Sequence, residues 1–321
     1  MSIEWRKIQA RNVTDWKELA EFVELDLQPI IRSPRTFPLN LPRRLAEKIE
    51  KGNVEDPILR QFVPLRIEEK RNPLFREDPV GDMSAQKTPK MLHKYFGRAL
   101  LLATGACAMH CRFCFRQHFA YARSSGFEKE LMYVRGDPTI SELILSGGDP
   151  LSLGDDALRE LMAQLATIPH LKRLRWHTRF PIGIPERITE SFLSLFESTR
   201  LQNVFVLHCN HPKELDADIF FALKRILKCG VPVLTSTVLL SGVNDNTSTL
   251  HSLFETVVDH GIIPYCLSQL DRVQGGQHFE VAIEKGVQIM EELRKSLPGY
   301  AIPKYIQEIA GEKCKTLIPH R

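Results

Sequence analysis

The segment from Arg98 to Cys114 reads Arg-Ala-Leu-Leu-Leu-Ala-Thr-Gly-Ala-Cys-Ala-Met-His-Cys-Arg-Phe-Cys, an apolar run that leads into three cysteines at CxxxCxxC spacing. A short apolar run of this kind is typical of a buried strand. A fully ligated iron–sulfur cube takes four thiolates, and the next cysteine after Cys114 is Cys209. The spacing therefore predicts a cluster held by Cys107, Cys111 and Cys114, with one iron open for chemistry.

Short apolar runs recur about every thirty residues from this segment onward. They predict six strands, at Ala99–Thr104, Glu142–Ser146, Leu171–His177, Asn203–His208, Val231–Leu239 and Ile262–Ser268. Amphipathic helices are predicted between strands, at Asp156–Ile168, Ala217–Lys228 and Thr249–His260. Since a complete barrel of such units has eight strands, we expect an α/β fold with an incomplete (βα)6 TIM-like barrel. Its active site should lie at the carboxyl ends of the strands.

The first ninety residues contain many prolines and little strand pattern. They predict a helical, loop-rich region with helices from Trp16 to Leu25 and from Leu41 to Lys51. Gly52 is placed to end the second helix.

Zinc and disulfides are the alternatives for the cysteines. His110 or His118 could complete a tetrahedral zinc site, although no second cysteine knuckle is present. Disulfides fit poorly, because the chain has seven cysteines, an odd number, and no secretory signal at Met1. A reducing compartment, the cytoplasm, is expected.

Composition narrows the class of protein further. The chain has 321 residues, of which 43% are apolar, and a net charge of +4 from 43 basic and 39 acidic side chains. Such a balance gives no reason to expect a nucleic-acid partner. No apolar stretch approaches the roughly 20 residues that a membrane helix requires. We therefore expect a cytosolic enzyme with neither nucleic acid nor membrane as its partner.

Three further stretches accompany the cysteines: His93-Lys94-Tyr95, Cys114-Phe-Arg116-Gln-His118-Phe119 and Ser146-Gly147-Gly148-Asp149-Pro150-Leu151. With the cysteine motif they resemble radical S-adenosylmethionine enzymes, specifically the lysine 2,3-aminomutases, and most closely the short bacterial form that makes (R)-β-lysine for elongation factor P. The resemblance extends from about Arg35 to Thr316. It implies an isomerase, an L-lysine 2,3-aminomutase, that uses a [4Fe–4S] cluster, S-adenosylmethionine and pyridoxal 5′-phosphate.

The resemblance also implies the binding site of S-adenosylmethionine. The open iron is expected to bind its amino and carboxylate groups, and reductive cleavage then releases a 5′-deoxyadenosyl radical. The residues expected around this cofactor are Ser146, Gly147, Gly148, Asp149, His177, Arg179 and His208. A tight strand-to-helix turn is the alternative for the glycines, and polar packing at the barrel rim is the alternative for the histidines and the arginine.

Lys315 is expected to bind pyridoxal phosphate covalently, because it matches the family lysine that is followed by threonine. Lys313 is the competing candidate, since the segment is less rich in glycine than in the larger enzymes. Lys94, Tyr95 and Arg98 match the family segment that contributes to phosphate binding. Capping of the first strand is the alternative for Arg98.

Arg116 matches the family arginine that binds the substrate carboxylate, a group that a guanidinium can hold through two parallel hydrogen bonds. Asp271 and Glu308 match two carboxylates that bind the side-chain ammonium of lysine. Glu308 departs from an aspartate, and Ser236 stands where relatives have glutamine. Two carboxylates also argue against an acidic substrate such as glutamate, because like charges repel. The catalytic residues are expected to be Lys315 and the three motif cysteines.

We expect a helical amino-terminal region (1–92), a radical S-adenosylmethionine partial barrel (93–297) and a carboxyl-terminal segment with the cofactor lysine (298–321). The expected partners are L-lysine, a ligase resembling lysyl-tRNA synthetase, elongation factor P and an electron donor such as flavodoxin. Six residues follow Lys315, so the extension of the larger catabolic enzymes is expected to be absent. The alternatives are production of free β-lysine, action on another amino acid, and a non-catalytic iron–sulfur or zinc module.

Overall fold

The computed structural model describes residues 4–32, 37–123 and 126–319. The predicted start of the resemblance at Arg35, and the first three and last two residues of the chain, lie outside these ranges. Within them, no helix is long and apolar enough to cross a membrane.

A single ten-stranded sheet, ordered as in the chain, is the centre of the described fold. The strands are β1 (Gln86–Thr88), β2 (Met91–Tyr95), β3 (Arg98–Thr104), β4 (Glu142–Gly147), β5 (Arg173–Thr178), β6 (Gln202–His208), β7 (Val233–Val238), β8 (Ile263–Ser268), β9 (Lys304–Gln307) and β10 (Thr316–Leu317). Strands β3 to β9 are parallel, whereas β1, β2 and β10 join antiparallel at the two ends.

The six predicted strands are confirmed as β3 to β8, and the incomplete barrel is confirmed by a sheet order that ends at β1 and β10. Two features differ from the expectation. Strand β9 adds a seventh parallel strand, and the β1–β2 hairpin lies in the region predicted to contain little strand. The sheet therefore crosses both predicted domain boundaries, which stay predictions.

Eleven α-helices surround this sheet in the described ranges. They are α1 (Glu4–Gln9), α2 (Trp16–Val23), α3 (Arg43–Ala46), α4 (Pro57–Phe62), α5 (Glu128–Gly136), α6 (Asp155–Ala166), α7 (Phe180–Gly183), α8 (Glu190–Glu197), α9 (Ala217–Lys228), α10 (Thr247–Asp259) and α11 (Ile283–Ser296).

The helix predicted from Leu41 to Lys51 is wrong in extent, because only Arg43–Ala46 is α-helical. Beyond it the amide of Lys48 bonds to Leu45 O and that of Ile49 to Ala46 O, a three-residue spacing that belongs to tight turns. The buried side chains still follow a helical period, since one helical turn and successive tight turns place similar positions on one face.

The amino-terminal helices and the barrel share one hydrophobic core. Trp5 of α1, Phe62 of α4 and Trp176 of β5 belong to the same buried cluster. A buried ion pair joins the regions as well, because Arg112 Nη2 lies 2.6 Å from Glu68 Oε2 and both side chains are 1% exposed. The amino-terminal region thus packs against the loops at the carboxyl ends of the strands.

Candidate active site

The cysteine loop follows β3, the first of the parallel strands. Cys107, Cys111 and Cys114 are half-buried free thiols. Burial raises the pKa of Cys114 to about 11, and the neighbouring Cys111 adds to this increase. In the described ranges, no three or more His, Cys, Asp and Glu side chains lie close enough together to hold a single metal ion. A cluster spreads its ligands over several irons, so its cysteines need not converge on one point as zinc ligands do.

Arg179, after β5, is the cation beside these thiols. Its Nη1 donates to Cys111 Sγ at 2.9 Å, while Nη2 donates to Glu214 Oε2 at 2.8 Å and to Gln61 Oε1 at 2.7 Å. The guanidinium also lies 4.7 Å from the ring of Phe62. Because all of these partners are protein groups, Arg179 is fixed in orientation toward the cysteine loop. Its expected contact with S-adenosylmethionine stays a prediction.

Two glycines at the end of β4 let that strand approach the cysteine loop. Gly147 has φ of +117°, and a Cβ there would lie 2.5 Å from Thr104 O. A Cβ on Gly148 would lie 2.3 Å from Ala106 O. The Gly148 amide donates to Thr104 O at 2.7 Å. The close approach that requires glycine is therefore between two loops of the chain, and the predicted ligand contact is not tested by it.

Asp149 follows these glycines and joins the loops after β4 and β5. Its carboxylate accepts from Thr178 Oγ1 at 2.7 Å and from the backbone amides of Leu151, Arg179 and Phe180 at 2.8–3.0 Å. Burial nevertheless raises its pKa to about 6, since desolvation outweighs these bonds. Asp149 thus has a full set of internal donors, which gives it a structural role beside the predicted one.

His177 and His208 form a pair on the inner side of β5 and β6. Nδ1 of His177 lies 2.9 Å from Nε2 of His208, so one ring donates and the other accepts. Burial lowers the pKa of His208 to about 3 and lowers that of His177 well below its usual value, with Lys315 and Arg116 adding to both shifts. The pair is therefore uncharged near neutral pH, and it is close enough to both cations to be affected by their charges.

Arg116 lies just beyond the last cysteine and is almost fully buried. Its Nε donates to Asp82 Oδ2 at 2.6 Å and its Nη1 to Ser146 Oγ at 3.3 Å. The guanidinium also lies 4.6 Å from the ring centre of Phe115. The predicted carboxylate ligand Arg116 and the predicted cofactor contact Ser146 are thus brought together.

Lys94 on β2 is surrounded by acceptors. Its ammonium lies 2.6 Å from Asp82 Oδ1, 2.8 Å from Glu308 Oε1 and 2.8 Å from Val80 O. The contacts with Val80 and Glu308 are hydrogen bonds, and the contact with Asp82 is an ion pair. Lys94 would have to exchange one of these partners to reach a phosphate.

Arg98 differs from Lys94, although both were predicted to contact phosphate. Its guanidinium lies 4.8 Å above the Tyr95 ring and makes no hydrogen bond or ion pair with another described residue. Burial and the Glu308 carboxylate raise the pKa of Tyr95 above its usual value, which keeps its hydroxyl protonated. Among these three residues, Arg98 has the most donors to offer an anion.

Lys315 lies beside Glu308, one of the predicted carboxylates, just before β10. Its Nζ is 3.4 Å from Glu308 Oε2, and its side chain is 45% exposed. Burial alone lowers the Lys315 pKa, but Glu308 and Asp271 outweigh burial and raise it. Burial raises the pKa of Asp271 to about 7, although the charge of Lys315 opposes this shift. The competing Lys313 is exposed and forms no ion pair with another described residue.

Sequence reasoning missed Asp82, Glu214 and Gln61, which bind the cationic side chains predicted to belong to the site. Asp82 is 34 positions from Arg116 and Gln61 is 118 positions from Arg179. All three lie in segments without a recognised motif. Only the pairing of distant segments identifies them, and a single sequence does not give that pairing.

Comparison with known proteins gives relatives over nearly the whole chain. A protein of Escherichia coli (strain K12) named L-lysine 2,3-aminomutase is 42% identical over 321 residues, covering 98% of this chain and 94% of that protein. A protein of the same name from Haemophilus influenzae is 41% identical, covering 98% and 95%. Another from Clostridium subterminale is 29% identical, covering 98% and 77%. No protein-family model matches.

Solved structures resemble the fold only in part. A radical SAM methyltransferase from Sphaerobacter thermophilus is similar with a TM-score of 0.48 at 17% identity, covering 68% of each chain. Native anSMEcpe with bound AdoMet is similar with a TM-score of 0.45 at 15% identity, covering 61% of this chain and 58% of that one. Both likenesses concern the backbone alone.

Proposed function

The chain belongs to the family of L-lysine 2,3-aminomutases, and on that premise we propose that it converts L-lysine to (R)-β-lysine with a [4Fe–4S] cluster, S-adenosylmethionine and pyridoxal phosphate. The main support is one arrangement. The amine of Lys315 lies 3.4 Å from Glu308 and is affected by the charge of Asp271, while ion pairs through Lys94 and Asp82 connect Glu308 to the guanidinium of Arg116. A diamino acid carries the complementary charges, a carboxylate for Arg116 and a side-chain ammonium for the two acidic residues.

The donor set after β3 fits the proposed cluster. Cys107, Cys111 and Cys114 are three soft sulfur ligands, one fewer than a fully ligated cluster takes. Iron binds thiolates, and burial raises the pKa of all three thiols, so metal binding has to displace their protons. Arg179 lies beside Cys111 and favours the thiolate form of that residue.

S-adenosylmethionine fits the same end of the barrel. We propose that Ser146, Gly147 and Gly148 provide backbone acceptors for its ammonium, with Asp149 fixing the loop that carries them. We also propose that the uncharged His177–His208 pair, with Arg179, borders the adenosyl group. Because both rings are neutral, the pair adds no positive charge to that of Arg179 near the sulfonium.

Pyridoxal phosphate fits the residues of β2, β3 and the segment before β10. We propose that Lys315 is its covalent anchor and that Arg98, whose guanidinium has no hydrogen-bond or ionic partner among the described residues, binds the phosphate. Lys94 and Tyr95 would complete that site once Lys94 exchanges its bond to Val80 O for the phosphate, keeping its two carboxylate partners. Lys315 is the better candidate than Lys313, because its amine lies 3.4 Å from Glu308 and is affected by the charge of Asp271, whereas Lys313 forms no ion pair with another described residue.

The two kinds of cofactor supply a primary carbon radical and a conjugated ring that stabilises an unpaired electron. The chain supplies the positioning. Arg116 would hold the substrate carboxylate, and Glu308 and Asp271 would hold its far ammonium, so the carbon chain between them is kept in one place. Arg116 and Glu308 are themselves fixed by Asp82 and Lys94.

We further propose that the (R)-β-lysine serves the modification of elongation factor P in the cytoplasm. A ligase resembling lysyl-tRNA synthetase would attach it, and an electron donor such as flavodoxin would reduce the cluster. The support is the motif resemblance together with the 42% and 41% identical relatives that this chain matches over nearly their whole length.

An anaerobic assay tests the reaction. The reconstituted protein is supplied with L-lysine, S-adenosylmethionine, pyridoxal phosphate and dithionite, and the products are separated on a chiral phase. We expect (R)-β-lysine from the natural chain. Unchanged lysine with accumulating 5′-deoxyadenosine would support the radical chemistry and reject L-lysine as the substrate.

A further inference from the structure

A continuous chain of ionic contacts connects the two ends of the proposed substrate site. Arg116 Nε lies 2.6 Å from Asp82 Oδ2, and Asp82 Oδ1 lies 2.6 Å from Lys94 Nζ. Lys94 Nζ lies 2.8 Å from Glu308 Oε1, and Glu308 Oε2 lies 3.4 Å from Lys315 Nζ. Charges alternate in sign along the whole series.

Asp82 is the second member of this series and joins Arg116 to Lys94. Its side chain is 2% exposed, and its two oxygens bind two different cations. A buried carboxylate in this arrangement cannot follow one cation without losing the other, and losing a partner inside a protein is costly. Asp82 therefore fixes the distance between Arg116 and Lys94.

Asp82 also decides which edge of Arg116 faces the site. A guanidinium has five N–H donors in a planar fork. Asp82 uses Nε and Ser146 uses one hydrogen of Nη1, while no described residue accepts from Nη2. A second carboxylate can then bind in the two-bond mode only at the terminal Nη1–Nη2 edge.

The far end of the chain can still accept a cation. Glu308 contacts Lys94 through one oxygen and Lys315 through the other. A carboxylate has about four lone-pair positions, so two contacts leave room for a further ammonium. Lys94 holds Glu308 in place, and Asp82 in turn holds Lys94. The distance between the free edge of Arg116 and the Glu308 carboxylate is therefore fixed.

We propose that Asp82 is a positioning residue that selects the length of the diamino acid, by fixing the separation between the carboxylate-binding edge of Arg116 and the ammonium-binding Glu308. The inference rests on the proposed function and adds to it a residue that touches no substrate. Its consequence is discrimination between homologues with the same charges, such as L-lysine and L-ornithine, which differ by one methylene.

The test is a competition of L-lysine and L-ornithine for the reconstituted enzyme in one vessel. The ratio of their kcat/KM values is then independent of the fraction of active protein, and charge effects common to both substrates cancel. A methylene is worth about 10- to 200-fold in a shaped site. We expect the natural chain to prefer lysine by about 100-fold. In Asp82→Asn this kcat/KM ratio should fall at least tenfold. In Glu77→Gln, which changes an exposed acid of the same segment, the ratio should be unchanged.

Asp82→Glu is the second variant, because it keeps the negative charge and lengthens the side chain by one methylene. It is expected to lower the ratio as well, which a purely electrostatic role would not do. The affinity of each diamino acid for the non-reduced enzyme is also measured by calorimetry, because binding can then be compared without turnover. Ratios in Asp82→Asn and Asp82→Glu that equal the natural ratio would overturn the inference. A natural chain that neither binds nor converts L-lysine would instead reject the proposed function.

Discussion

The cysteine end and the lysine end of the site are built differently. Around the cysteines, Arg179 and Asp149 bind almost entirely to other protein groups, and both are at most 8% exposed. Around Lys315, the side chain is 45% exposed and Arg98 has no ionic partner among the described residues. The first region is complete as folded, whereas the second has donors and charges left for ligands.

Sequence position explains part of this difference. The cysteine loop lies between β3 and β4, both of which are paired on two sides, and amino-terminal helices pack against it. Lys315 precedes β10, a two-residue strand at the end of the sheet, which pairs only with β9. An edge strand this short has few backbone bonds to hold it, so bound cofactor is expected to contribute much of its order.

The largest effect is expected at the cysteine end. Cys111→Ala removes one of the three proposed thiolate ligands, so iron content and formation of (R)-β-lysine should both fall to background. Iron and sulfide analysis with the chiral assay measures this. Cys229→Ala is the control, because Cys229 follows α9 and precedes β7, at the opposite rim of the barrel. Full iron content in Cys111→Ala would contradict the ligand assignment.

Replacement of the anchor lysine should be nearly as severe. Lys315→Ala removes the proposed anchor amine, which lies beside Glu308, so the pyridoxal absorbance band and the product should be lost while iron content stays normal. Lys313→Ala is the matched control two residues away. If Lys313→Ala loses the band and Lys315→Ala keeps it, the anchor is Lys313.

Stability should depend on the cysteine end more than on exposed ion pairs. Glu214→Ala leaves the Arg179 charge buried without its carboxylate, which should lower the free energy of unfolding by about 3–5 kcal/mol. Glu186→Ala breaks an exposed pair with Arg44 and should cost at most about 1 kcal/mol. Denaturant titration compares the two. Equal losses would contradict the view that the cysteine end is a preassembled buried network.

The smallest effect is a pH dependence that arises at the lysine end. The Asp271 pKa of about 7 means that the carboxyl is neutral below that pH and anionic above it, so its attraction for an ammonium grows as pH rises. We expect kcat/KM for L-lysine to fall about tenfold from pH 8 to pH 6. Glu308, whose pKa is lowered, stays ionised over this range.

Asp271→Asn should weaken substrate binding at pH 8 and remove this step. The histidine pair does not contribute to it, since burial keeps both rings neutral throughout. A pH profile with the same step in Asp271→Asn would assign the titration to another group.

The barrel was predictable because its signals are local. Runs such as Val233–Val238 and helices such as Ala217–Lys228 follow their own periodicity and end at turn residues. The true extent of the helix predicted from Leu41 to Lys51 could not be predicted, because tight turns after Ala46 bury the same positions that an α-helix would. Periodicity alone does not distinguish these two conformations.

The site was predictable only as far as motifs extend. The cysteines, Arg116 and Lys315 stand in recognisable segments, and the structure brings them to one end of the sheet. The partners that fix them are different. Asp82 lies in an ordinary loop, and its function depends on Arg116 and Lys94 meeting it in space. Burial and pairing of a carboxylate are properties of the fold, and no local pattern carries them.

Hydrogen–deuterium exchange of the reconstituted protein, before and after addition of pyridoxal phosphate and L-lysine, tests the difference between the two ends most directly. We predict slower exchange over residues 91–98 and 304–317, where donors and charges await ligands. Exchange over residues 173–180 and 208–216 should be unchanged, because those groups already have protein partners. Equal slowing in both regions, or none in 304–317, would contradict the account.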